Sequence, residues 1–188
     1  LNLKELMQKN GYTTDKDTTH SYLEVYDAVF KRYQDKPVKL LEIGNNGGES
    51  IKLWDDYFDN VEITGIEINN VPQLVELNKR DNVNIYLETD AYSEKTVNDF
   101  QQSGVKFDII IDDGSHLPQH QAYALIRWVD LLTDDGLMVV EDIQDISYCE
   151  KIISVMNSEL LNYTKVYDRR EIKNRFDDIL IVVDKGTK

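Results

Sequence analysis

Near-continuous apolar runs alternate along this chain with segments of helical periodicity, and that alternation constrains the fold more than any other feature. The runs are Val38 to Ile43, Val61 to Ile68, Val83 to Leu87, Phe107 to Ile111 and Leu137 to Val140. Strands buried on both faces read this way, and strands that alternate with helices form a mostly parallel sheet covered on both sides. The intervening segments read as helices. One carries Ile51, Leu53, Trp54, Tyr57 and Phe58, the next starts at Pro72 and runs to about Arg80, and a third spans Ser93 to Gln102. Pro118 opens a long helix with Tyr123, Leu125, Ile126, Trp128, Val129 and Leu132; Pro72 and Pro118 both suit a first helical turn. Asp134-Asp135-Gly136 reads as a turn, and Ser147 to about Asn162 as a further helix.

Two final strands, near Tyr163 to Asp168 and Ile179 to Val183, have no helix between them, so one of them must enter antiparallel as a hairpin. The expectation is an α/β, Rossmann-like three-layer sandwich with a mostly parallel seven-stranded sheet and an antiparallel C-terminal hairpin. Residues 1–36 are expected to form an N-terminal helical segment packed on a core of residues 37–188, within a single domain overall. Leu3 to Lys9 is a short helix ended by Gly11, and Tyr22, Tyr26, Val29 and Tyr33 share one face of a second, read as packing against the sheet.

With 188 residues the chain can bury roughly 70 % of its unfolded surface, so neither disulfides nor structural metal are needed. Its single cysteine, Cys149, excludes an internal disulfide and fits a reducing, cytoplasmic setting. The formal charge of −14 argues against nucleic acid or an anionic membrane as partner, because phosphate binding needs clustered Lys and Arg that only residues 169–175 approach. No run nears the roughly 20 apolar residues of a membrane span. The chain opens on Leu1 and not Met, so sequence upstream is compatible with this reading.

Two places carry chemistry. After the first strand, Glu42-Ile43-Gly44-Asn45-Asn46-Gly47-Gly48 is a glycine-rich turn, and Glu67, roughly 20 residues further on, ends the second strand where an acid can bond a ribose hydroxyl. Asn46 replaces the second glycine of the dinucleotide fingerprint, so the turn suits a nucleoside better than a pyrophosphate. Asp90, after the third strand, can accept from an adenine amino group. The second place gathers Asp112, Asp113 and His116 after the fourth strand with Glu141 and Asp142 after the fifth. Carboxylates that converge at one sheet edge repel one another unless a cation sits between them, and all-oxygen ligation favours a hard ion such as magnesium. His116 precedes Leu117-Pro118, lies in a loop and suits a general base. His120 reads as a supporting or surface histidine.

Leu40-Leu41-Glu42-Ile43-Gly44, Glu67, Phe107 to His116 and Gly136 to Asp142 resemble the class I S-adenosylmethionine-dependent methyltransferases. Within them the chain resembles the macrolide-sugar (mycinamicin and macrocin) O-methyltransferases and the rhamnosyl O-methyltransferase and cephalosporin-hydroxylase-type relatives. Tyr12-Thr13-Thr14-Asp15-Lys16, with His20 and Tyr22, resembles a segment found there before the first strand. The resemblance implies S-adenosyl-L-methionine held by Glu42, Gly44, Asn45, Glu67 and Asp90, with Ser50 or Lys16 near its methionine end. It implies Mg2+ on Asp113, Glu141 and Asp142, with Asp112 orienting the site or touching the cofactor and His116 and Asp113 as the catalytic pair. The reaction implied is magnesium-dependent O-methylation of a sugar hydroxyl on a glycoside, glycan terminus or sugar nucleotide.

The partner is then a small-molecule or glycan acceptor with a free hydroxyl; self-association is left open. Two other readings stand beside this one: a non-haem iron oxygenase using Asp113, His116 and His120, and a non-catalytic binding module of the same fold. Arg169, Arg170, Lys173 and Arg175 form either a phosphate-attracting patch or a solvated basic loop.

Overall fold

A computed structural model describes residues 1–187. Its seven strands are β1 (Pro37–Ile43), β2 (Asn60–Ile66), β3 (Val83–Tyr86), β4 (Phe107–Asp112), β5 (Leu132–Val140), β6 (Thr164–Asp168) and β7 (Ile179–Asp184). They form one sheet in the order β3-β2-β1-β4-β5-β7-β6. The β1–β2, β2–β3, β1–β4 and β4–β5 pairings are parallel, whereas β7 runs antiparallel to both β5 and β6. The expected Rossmann-like sandwich with its antiparallel C-terminal hairpin is the architecture found.

Side chains alternate across the sheet, as the strand period of two requires. Leu40, Ile109, Ile111, Leu137 and Val139 face one core with α1 (Leu3–Asn10), α3 (Leu23–Phe30), α4 (Glu49–Tyr57) and α5 (Pro72–Leu77). Leu41, Ile43, Ile110, Met138 and Val140 face a second core with α6 (Glu94–Ser103), α7 (Pro118–Arg127) and α8 (Ile146–Ile153). The N-terminal segment belongs to the first core. Phe30 lies with ring centroids 4.9 Å from Tyr26, 5.2 Å from Trp54 and 5.3 Å from Phe58. Such aromatic pairs add about 0.5–1.5 kcal/mol each beyond the area they bury. α1 opens with a capping box between Asn2 and Glu5 and closes on Gly11 at φ 71°, a left-handed conformation that a Cβ would oppose.

Several local expectations change: the helix opened by Pro118 stops at Arg127, and Leu132, read as part of it, opens β5. The supposed turn at Asp134-Asp135-Gly136 lies within β5, which starts at Leu132 opposite Phe107 and shifts register before Leu137 pairs with Ile109. The helix from Ser147 to Asn162 is broken: α8 stops at Ile153, and a 3-10 turn, Ser158–Tyr163, starts afresh where the Asn157 side chain accepts from Glu159 N. A four-residue helix, α9 (Arg170–Lys173), lies between β6 and β7.

Strand order runs outward from β1 in both directions, through β2 to β3 and through β4 to β5. The crevice beyond the carboxyl ends of β1 and β4 is therefore a topological switch point, where open α/β sheets bind ligands.

Candidate active site

The crevice is a cavity of about 740 Å3, within the size range of small-molecule sites. Gly44 shapes its floor. At φ 80° it takes a left-handed turn directly against β4, and a Cβ there would meet the Asp113 carbonyl at 2.1 Å. Only glycine lets the first turn approach the acid-bearing strand this closely. Glu67 then fixes the turn: its carboxylate accepts from Asn45 N at 3.0 Å and Asn46 N at 3.1 Å, and from Asn69 N at 3.0 Å and Asn69 Nδ2 at 3.1 Å.

Of the residues expected at a cofactor, Gly44, Asn45, Ser50, Glu67 and Asp90 line this cavity. Lys16, Glu42 and Asp112 do not; they are buried beneath it at 1 %, 0 % and 2 % exposure. Glu42 accepts from Ser50 Oγ at 2.9 Å, so it meets the cavity only through Ser50. Asp112 accepts from the Tyr92 hydroxyl at 2.6 Å, and Tyr92 in turn stacks on His120 at 4.2 Å. Burial raises both carboxyls, Glu42 to about 7 and Asp112 to about 6.

Beyond the ends of β4 and β5 lies an acid floor. His116 Nε2 is 3.2 Å from Asp113 Oδ1 and its Nδ1 is 3.5 Å from Asp142 Oδ2. Ligand atoms of Asp113, His116 and Asp142 lie within 4.8 Å of one another. Both His116 (φ 58°) and Asp142 (φ 55°) hold left-handed backbone, uncommon outside glycine though Asp and His accept it more readily than most side chains, and such conformations recur at functional sites. Burial opposes a charge on His116, but the hydrogen bond to Asp113 and the charges of Asp142 and Asp113 outweigh it, and its pKa is pushed up to about 9.

Glu141 departs from the expected ligand set. Its Oε1 lies 2.7 Å from Lys16 Nζ and accepts the Tyr26 hydroxyl, so it faces inward, while Asp113 and Asp142 flank the imidazole. The acids that meet His116 are thus Asp113 and Asp142. Lys16 departs too: its ammonium bonds Asp113 Oδ2 at 2.7 Å and is not a wall of the cavity. His120 accepts or donates at Ser115 Oγ, 2.7 Å away, and is not part of the Asp113–His116–Asp142 group, so the ferrous triad loses its third ligand.

Several site residues were not legible as such. Tyr22 and Tyr26 pack against the sheet as their spacing predicts, yet the Tyr22 hydroxyl donates to Asp142 at 2.6 Å and Tyr26 to Glu141. His20 stacks on Tyr22 at 4.6 Å and sits 3.4 Å from Asp142. Tyrosine in place of phenylalanine at a core position was the available signal, because a buried hydroxyl needs a partner. The basic loop is engaged by acids and carbonyls: Arg169 with Glu24, Arg170 with Asp168, Arg175 with Asp177, and Lys173 with the Asp17 carbonyl.

No family model matches the chain. It is 29 % identical over 138 residues to the 8-demethyl-8-alpha-L-rhamnosyl tetracenomycin-C 2'-O-methyltransferase of Streptomyces olivaceus, covering 70 % of this chain and 35 % of that protein. It is 28 % identical over 130 residues to the mycinamicin VI 2''-O-methyltransferase of Micromonospora griseorubida, covering 65 % and 31 %. The chain therefore spans about a third of the length of the curated relatives it matches. Among solved structures, the MycE methyltransferase from the mycinamycin biosynthetic pathway, in complex with Mg, SAH and mycinamycin VI, superposes with a TM-score of 0.76 at 21 % identity. That match covers 99 % of this chain and 55 % of MycE. The resemblance to sugar O-methyltransferases read from the sequence is borne out, and the fold is theirs.

Proposed function

From a chain with the fold of S-adenosylmethionine-dependent methyltransferases, we propose an enzyme that moves the methyl group of S-adenosylmethionine to a sugar hydroxyl with Mg2+ at the acid floor. The observation that carries this reading is continuity: Asp113 and His116 line the same cavity as Gly44 and Glu67, so a nucleoside crevice opens directly on an acid–imidazole edge.

The residues fit both groups. Glu67 directly follows β2, where an acid can accept from a ribose, and Asp90 lies on the cavity wall in the loop after β3, where it could accept from an adenine amino group. The close approach at Gly44 leaves backbone free to meet a ligand, and the acidic surroundings suit a sulfonium cation. For the metal, Asp113 and Asp142 place hard carboxylate donors from neighbouring strands on one imidazole. The same two charges hold His116 protonated, so the edge already calls for a cation. When bound, S-adenosylmethionine supplies an electrophilic methyl and magnesium acidifies a hydroxyl beside it.

The chain does the rest. Asp113 and Asp142 would hold the cation and so fix where the acceptor hydroxyl lies, and the His116 ring beside them would take the hydroxyl proton once their charges were shared with the ion. Positioning of hydroxyl against methyl contributes most of the acceleration. The acceptor class is a glycoside, glycan terminus or sugar nucleotide, by analogy with relatives named for rhamnosyl and mycinamicin acceptors.

The test is a screen of glycosides and sugar nucleotides for transfer of labelled methyl, with and without chelator. Magnesium-dependent labelling of a sugar hydroxyl is expected; no S-adenosylmethionine binding at all would sink the proposal.

A further inference from the structure

The strongest unexplained feature is Lys16. Its side chain is fully buried, yet it belongs to α2 (Asp15–Thr18), outside the strand-helix core. Nζ lies 2.7 Å from Asp113 Oδ2, 2.7 Å from Glu141 Oε1 and 3.5 Å from Glu42 Oε1. These acids come from the ends of three neighbouring strands, β4, β5 and β1. The helix is pinned from both sides: Lys4 pairs with Asp17 at 3.4 Å, Lys173 donates to the Asp17 carbonyl, and Ser21 N and Oγ donate to Asp178.

We propose that the Lys16 ammonium is a built-in monocation that fills the inner half of the acid floor, so that the floor takes one divalent cation and not two. This rests on the cation reading above and extends it. A buried ammonium ringed by acids is tolerated because each neutralises the other, and removing one side leaves the other uncompensated. Here the pairing also divides labour within one residue. Asp113 gives Oδ2 to Lys16 and Oδ1 to the His116 side, so Lys16 is a positioning residue that fixes how Asp113 faces the outer site. It equally explains why Glu141 turns inward. Without the ammonium, Glu42, Glu141 and Asp113 would turn three crowded carboxyl groups towards one point, where a hard divalent ion would compete with protons for their oxygens.

The experiment is a titration with Mn2+ alone, followed by the electron paramagnetic resonance of free Mn2+, on wild type, Lys16→Met and Lys16→Gln. Thermal melts run beside it. Wild type is expected to take up one equivalent. Both variants should take up two, and Mn2+ should raise their Tm more than it raises that of wild type. A single equivalent of unchanged affinity, with equal Tm gains, would show that Lys16 only holds the fold and would overturn the inference. Should Lys16→Met not fold in metal-free buffer, preparation in Mn2+ should restore it; failure of both variants to fold at any Mn2+ concentration also overturns it. If wild type itself binds no Mn2+, the cation reading falls first, which separates the two failures.

Discussion

The two halves of the site are built from different materials. The crevice half, at the ends of β1, β2 and β3, is made of backbone: Glu67 accepts mainly main-chain N–H groups, and Gly44 is chosen for what it lacks. The floor half, at the ends of β4 and β5, is made of buried charge, and Lys16, His20, Tyr22 and Tyr26 reach it from a segment far away in sequence. Backbone scaffolds tolerate an absent ligand because their hydrogen bonds are already satisfied. A nest of acids does not, and it must be balanced by ammonium, imidazolium, hydroxyls or a metal. Substitutions should therefore separate cleanly: crevice changes alter cofactor affinity, and floor changes alter turnover.

The largest effect is expected for Asp113→Ala, which removes a proposed cation ligand and one partner of Lys16. Magnesium-dependent turnover should fall to background while calorimetry still reads S-adenosylmethionine binding; an equal loss of both would place Asp113 in the crevice half. Next comes His116→Ala, with kcat lower by about 10²-fold or more and cofactor affinity unchanged. Near-normal rates at neutral pH would remove His116 as the base. Glu67→Gln should do the reverse, weakening S-adenosylmethionine by roughly tenfold through loss of charge-assisted hydrogen bonds, with kcat nearly retained. Tyr22→Phe, which deletes one hydroxyl donor to Asp142, should lower stability by about 1–3 kcal/mol in denaturant titrations.

A pH effect sharpens the same contrast. Without metal, His116 is raised from 6.5 to about 9. Its contribution to stability is thus fully present below about pH 6.5 and lost as pH rises through about 9. Metal-free wild type should lose stability across that window, and His116→Ala should lack that component. Followed by NMR, the imidazole should titrate lower when Mg2+ is added, because the ion draws off the Asp113 and Asp142 charges; an unmoved titration would contradict the arrangement.

Sequence and structure agree where apolar periodicity governs. The strand runs and the pairing of β4 with β5 follow from near-continuous apolar stretches such as Ile109-Ile110-Ile111 and Leu137-Met138-Val139-Val140, so the adjacency of Asp113 and Asp142 was legible in the sequence. Disagreement begins where partners are decided by distant chain. The resemblance puts Lys16 near the methionine end of the cofactor; its neighbours Thr13, Thr14 and Asp15 do line the cavity, yet the Lys16 side chain turns inward to the acids. Glu141 and Asp142 read as equivalent; the left-handed backbone at Asp142 sends one to His116 and leaves the other with Tyr26 and Lys16. The broken helix after Ile153 was hidden for a simpler reason, since a single side chain, Asn157, caps the turn that restarts the chain locally.

The division of the site is tested most directly by titrating S-adenosylmethionine into the protein calorimetrically in excess chelator and then assaying methyl transfer on the same sample before and after Mg2+ is restored. The account predicts cofactor binding of undiminished affinity throughout, no transfer under chelator, and transfer once Mg2+ returns. Equal transfer in chelator and in Mg2+ would contradict it.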